Sequence, residues 1–171
     1  MGETYIVSGE EEIKYEGVFD AKEYYQMIVN WLDEHGYDIN IKVNSEEVKE
    51  DGRFSLVKLK AEKEVNDYIK KVIKVGIKLG NIVDIDVNYK KKQHKLEKGN
   101  ASLETMGLIE SDYEGKWKDS VLKWFIRSFI DKYLFKYPYE NEKKELKEDI
   151  KKLKREINSF FNMQQEIFMD V

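Results

Sequence analysis

The sequence predicts an α+β domain, with an antiparallel β-meander, helices on one face of the sheet and a long C-terminal helix. Three observations carry that prediction. Apolar residues recur at helical spacing between Asp20 and Gly36, the period falls to two from Ile39 to about Asp112, and helical spacing returns after Asp119.

The elements follow in order. In EEIKYEGVF, residues 11–19, Ile13, Tyr15 and Phe19 face one way and Glu12, Lys14 and Glu16 the other, as in a half-buried strand. A short strand at 4–7 can precede it. Asp20 is a natural N-cap with Glu23 three residues on, and Gly36 suits the left-handed stop of the first helix. Segments 39–50, 53–65, 67–79, 81–90 and 100–112 alternate as strands, with a further short strand conceivable at 93–98. DGR at 51–53 and LGN at 79–81 read as hairpin turns. Pro138 separates an aromatic helix at 120–137 from a long helix at 140–169. Residues 1–119 thus form a strand–helix–meander unit, and the whole span 1–171 reads as one domain.

This order, β-α-β5/6-α-α, resembles the helix-grip arrangement of START-like lipid-binding domains, in which a curved sheet wraps a long last helix. FDAKEYY, WLDEHGYD and DYEGKW are also similar to stretches of small archaeal proteins with no assigned activity. The first resemblance is topological and implies a cavity for a small apolar ligand; neither carries a catalytic motif.

Composition narrows the function classes. Thirty basic residues against 34 acidic ones, a net charge of −4, argue against a dedicated nucleic-acid binder. The absence of cysteine removes disulfides, thiol nucleophiles and thiolate metal sites. The first residues lack a cationic start followed by an apolar run, and no apolar stretch is long enough to span a bilayer. A soluble cytoplasmic protein is therefore expected. Neither a P-loop nor a dinucleotide fingerprint occurs, and no nucleophile elbow surrounds any serine. Enzyme, cofactor and metal are not expected.

The remaining signals are individual. His35, in the last turn of the first helix, reads as structural. His94 in YKKKQHK could meet phosphate with Lys90, Lys91 and Lys92, although a solvated hairpin is the plainer reading. Asp84 and Asp86 share a strand face and suggest ion pairs with Lys70, Lys74 and Lys78. Tyr113 and Trp117 flank Gly115 in a turn that would anchor sheet to helix.

The two C-terminal helices carry the functional expectation. In WKDSVLKWFIRSFIDKYLF, residues 117–135, one broad arc is apolar, yet Trp124 and Phe135 lie on the opposite side. In the last helix Leu146, Ile150, Leu153, Ile157, Phe160, Gln164 and Ile167 form a narrow stripe of coiled-coil type, with Glu148 and Lys152 placed as a helical ion pair. Its tip also carries Phe161, Phe168 and Met169. The expected function is self-association as a homo-oligomer, or contact with another protein partner. Trp124, Phe135, Leu153, Ile157, Phe160, Phe161 and Phe168 would supply the apolar anchors. Two alternatives stand beside it: the stripe lies across the chain's own sheet, or the protein carries a small apolar ligand or lipid lined by Tyr24, Tyr25, Trp31, Phe125 and Phe129. Attachment to a membrane surface through Trp124, Phe125 and Phe129 has little support from charge.

Overall fold

The structure, a computed structural model, describes residues 3–111 and 136–169. Five antiparallel strands, β1 (Glu3–Phe19), β2 (Asp38–Lys49), β3 (Gly52–Glu64), β4 (Ile69–Tyr89) and β5 (Lys92–Ser111), form an open sheet in the order β1-β5-β4-β3-β2. Helix α1 (Ala21–Glu34) links β1 to β2, and α2 (Lys136–Phe168) follows the sheet. The architecture is α+β.

Local chemistry accounts for the first helix. The Glu23 N–H donates to Asp20 Oδ1 at 2.8 Å, which satisfies one of the free first-turn donors. At the other end His35 is the C-cap and Gly36, at φ +77°, takes the left-handed conformation.

The strands are fewer and longer than the sequence suggests. The segments at 4–7 and 11–19 are one strand with register shifts between Ile6 and Glu11. Likewise 67–79 and 81–90 are one strand, and 93–98 joins 100–112. LGN at 79–81 is therefore not a hairpin turn. It is a bulge in β4, with Asn81 at φ +52° and a register shift between Gly80 and Val83. Glycines on both flanking strands make room for it. A Cβ on Gly52 of β3 would lie 2.8 Å from the Asn81 carbonyl carbon, and one on Gly99 of β5 would lie 2.8 Å from the Gly80 and Asn81 oxygens. The true β4–β5 turn is Lys90–Lys91, at φ +48° and +62°.

Pro138 does not precede the last helix. It is the third residue of α2 counted from Lys136, where the missing N–H has no helical acceptor to lose. The expected aromatic helix, Trp124, Phe135 and the Tyr113–Trp117 turn fall on 112–135, outside the described residues.

Both helices share one core with the inner face of the sheet. Tyr24, Ile28, Trp31 and Leu32 from α1 meet Ile73, Val75, Ile77 and Leu103 from the strands and the α2 stripe. Leu146, Ile150, Leu153 and Ile157 are buried within the chain's own core, as are Phe160 and Phe161. Gly107 of β5 lets α2 approach, since a Cβ there would meet Ile150 Cδ1 at 2.6 Å. Phe168 packs on a second small cluster of Val18, Val87 and Leu96, so the helix tip caps one end of the sheet.

Candidate functional site

A cluster of polar side chains lies where the start of β2, the inner face of β4 and the N-terminal half of α2 meet. Glu142, Glu145 and Asp149 sit at i, i+3 and i+7 of α2, on one side of its apolar stripe. Lys71 stands among the inward apolar residues of β4 and is only 3% exposed. Its ammonium lies 2.9 Å from Glu142 and 2.7 Å from Glu145. Tyr37, just past α1, donates its hydroxyl to Asp149 at 2.7 Å. Lys63 of β3 donates to the His35 carbonyl at 2.9 Å and sits over the Tyr37 ring, 5.5 Å from its centre.

The protonation states follow from these contacts. Burial alone would lower the Lys71 pKa, but hydrogen bonds to Glu145 and Glu142 outweigh it and leave the ammonium held more firmly than usual. Contact with Lys71 holds Glu145 below the ordinary carboxylate value. Burial pushes the Tyr37 hydroxyl far above its ordinary value, reinforced by the bond to Asp149 and the nearby carboxylates. At neutral pH the cluster therefore presents a charged lysine, a neutral phenol and paired carboxylates. Neither Lys71 nor Tyr37 is thus a poised nucleophile or a general base near neutrality. What the arrangement does chemically is clamp α2 to the sheet.

Other expected residues fall into place one by one. His35 stacks on Trp31 at 3.8 Å between ring centres, and its Nδ1 is 2.7 Å from the Trp31 carbonyl. Asp84 does not meet the β4 lysines; its partner is Arg53, at 3.4 Å. Lys70 instead joins Lys60, Glu62 and Glu110 in a closed ring of four charges on the outer face, and Lys78 pairs with Glu104. Glu148 pairs with Lys151 at i,i+3 rather than with Lys152. Among the described residues, no cluster of His, Cys, Asp or Glu has a metal-binding arrangement, and no helix is long and apolar enough to cross a membrane.

No family model, no curated protein and no solved structure matches this chain.

The space where a carrier's ligand would lie, between sheet and last helix, holds aromatic rings. Tyr15 stacks flat on Phe161 at 4.4 Å, Tyr24 lies 5.0 Å from Phe161, and Phe19 meets it edge-on at 6.3 Å. Open concavities occur on the surface among the described residues. One of about 700 Å³ lies between α1 and α2, beside Met27, Trp31, His35, Lys152 and Glu156. Another of about 550 Å³ lies on the outer face over Gly76, between Lys58, Lys74, Glu104 and Met106.

Of the seven anchors expected for a helix-mediated contact, Leu153, Ile157, Phe160 and Phe161 are covered by this chain's own sheet and first helix. Phe168 is partly buried at the cap. The clamp of Tyr37, Lys71, Glu142, Glu145 and Asp149 was not foreseen. Three carboxylates on one helix face and a lysine among the inward apolar residues of a strand are the signals that could have found it.

Proposed function

We propose that this is a non-enzymatic protein that works by self-association, and that the contact is the free edge of β2 rather than the last helix. The observation that carries the reading is the state of that strand. Among the described residues β2 is terminal in the sheet, nearly every residue of it is exposed, and Ile41, Val43 and Val48 are 53%, 37% and 77% exposed. An edge of this kind presents unpaired backbone donors and acceptors to a second strand.

Symmetry narrows the register. A two-fold axis perpendicular to the sheet keeps inner residues opposite inner ones, so it passes through a residue of β2. With Ser45 on the axis, Val43 faces Glu47 of the partner subunit on the outer face. The bulge between Ile41 and Val43 then shifts the count by one. Ile41 consequently falls opposite Val48 of the partner subunit on the inner face, and Lys42 lies beside Glu47 of the partner subunit. Two apolar pairs and two opposite-charge pairs result, each of a kind that supports strand pairing by a few tenths of a kcal/mol to about 1 kcal/mol.

The carrier reading draws less support, because the rings of Tyr15, Phe19, Tyr24 and Phe161 pack against one another between the sheet and the last helix. Light scattering over a hundredfold concentration range tests the proposal. The wild type should populate a dimer, Lys42→Glu should weaken it, and the Lys42→Glu/Glu47→Lys double variant should restore it. A wild-type monomer throughout, or a Lys42→Glu dimer of unchanged strength, would sink the reading.

A further inference from the structure

Several lysines on the outer face of the sheet have carboxylate partners. Lys60 and Lys70 share Glu62 and Glu110, and Lys78 pairs with Glu104. Lys42, Lys58 and Lys74 do not. All three are exposed, none takes part in an ion pair or a hydrogen bond, and all line the concavity of about 550 Å³ over Gly76.

The register explains why these three are left over. Gly76 of β4 stands opposite Lys58 of β3 on one side and Glu104 of β5 on the other. Lys74 and Lys78 flank that glycine two residues away on either side, and the Glu104 carboxylate is bonded to Lys78. Lys74 is itself opposite Lys60, whose ammonium is held by Glu62 and Glu110. Lys42 lies one strand further out, at the bulge beside the Val43–Lys58 pair. Like charges set opposite each other, as Lys60 and Lys74 are, oppose strand pairing. Glu10 also lines the concavity, but its charge, like that of Glu12, reinforces the Glu104 bond in holding Lys78 above its ordinary value. The acids therefore gather at the Lys78 end, and the unpaired cations at the other.

Gly76 is the second, independent observation. It lies inside a strand, away from the register shifts of β4, and its φ is not left-handed. A Cβ there would first meet Glu104 Oε2 at 3.1 Å, the end of a side chain that can turn. Neither backbone conformation nor a fixed neighbour thus requires glycine. A glycine of this kind weakens its strand and marks a place where another group approaches the backbone closely.

We infer that this hollow binds a small phosphate-bearing anion, held by Lys58 and Lys74 with Lys42 at its rim, over the bare backbone of Gly76. Each ammonium is a mobile point charge with three donors. A phosphate group brings about −1.5 to −2 charges and three strong acceptor oxygens, so it can answer several lysines at once. The inference does not rest on the dimer. Lys42 also lies at the proposed β2 contact, so the test leaves it unchanged.

That test follows backbone amide NMR signals while inorganic phosphate or glycerol 3-phosphate is added at constant ionic strength, which keeps general screening fixed. Wild type should show saturable shifts centred on Lys58, Lys74 and Gly76. Tighter binding of glycerol 3-phosphate would identify an ester as the ligand, and tighter binding of inorganic phosphate a free ion; either supports the site. Gly76→Val fills the hollow with a residue better suited to a strand, so it should melt no lower than wild type. Its affinity should fall roughly tenfold or more, as should that of Lys58→Gln/Lys74→Gln, which removes two charge-assisted bonds and nearly keeps side-chain length. No saturable shift with either probe, shifts centred elsewhere, or unchanged affinity in the lysine variant would overturn the inference.

Discussion

The Tyr37 hydroxyl and the Asp149 carboxylate are 112 positions apart in sequence and 2.7 Å apart in space. Tyr37 is almost wholly buried, and its bond ties the segment after α1 to the middle of α2. Tyr37→Phe should therefore lower stability by about 2 kcal/mol, the scale of a hydrogen bond to a charged acceptor, with little change in packing. Urea unfolding measures this as a lower midpoint at unchanged slope.

Lys71 tests the clamp from the other side. Replacing both Glu142 and Glu145 by glutamine leaves a buried ammonium without a counter-charge and should cost about 3 kcal/mol. Adding Lys71→Met to that pair of substitutions removes the charge on both sides and keeps the length, so the triple variant should recover most of the loss. If the two variants are equally destabilised, the clamp is not electrostatic.

The same contacts set the pH range. Lys71 holds Glu145 below the ordinary carboxylate value, and Glu62 is lowered too because Lys60 and Lys70 outweigh the effect of its burial. A folded-state pKa below the unfolded one gives stability that is present above the unfolded value and is lost as pH falls through the folded one. Stability should thus decline as pH drops below about 4.5. At the alkaline end Lys71 is raised, and burial raises Tyr24 as well as Tyr37. Their contribution is complete below the unfolded values near 10 and declines above them as the unfolded chain gives up protons. A tyrosinate absorbance titration should show Tyr24 and Tyr37 ionising only when the protein unfolds.

Two glycines of β5 have distinct expected costs. At Gly99 an added methyl meets backbone oxygens at 2.8 Å, whereas at Gly107 it meets the mobile end of Ile150. Gly99→Ala should consequently destabilise by about 3 kcal/mol and Gly107→Ala by about 1–2 kcal/mol. Asn81→Gly, at a left-handed position in the bulge, should be stabilising by about 0.5 kcal/mol. Thermal melts of the three variants give the order.

Much of the fold was legible because its rules are local. The Asp20 cap, the Gly36 stop and the alternation of Ile69, Ile73, Val75 and Ile77 each follow from residues a few positions apart. Other features resisted for physical reasons. Gly80–Asn81 has the chemistry of a turn and of a bulge alike, and only the neighbours Gly52 and Gly99 decide between them. Lys90–Lys91 carries no preference for the left-handed region, so the real turn was silent. The narrow apolar stripe of α2 looked like a coiled-coil seam because Glu142, Glu145 and Asp149 beside it read as solvated, whereas they face Lys71 and Tyr37. One consequence is practical. Phe161→Glu would collapse the aromatic stack with Tyr15 and so cannot report on a contact between molecules.

The position of α2 also bears on how the protein is made. Every strand leaves the ribosome before the helix that covers their inner face. Until residues up to Phe161 emerge, Ile73, Val75, Ile77 and Leu103 have α1 but lack the α2 side chains of their shared core. With synthesis at about 5–20 residues per second, a nascent chain carries a sticky, half-finished sheet for several seconds. A nonsense codon in the first half of α2, before Leu153, would release that sheet without the helix residues that bury it, making premature termination a route to aggregation rather than to a smaller working protein.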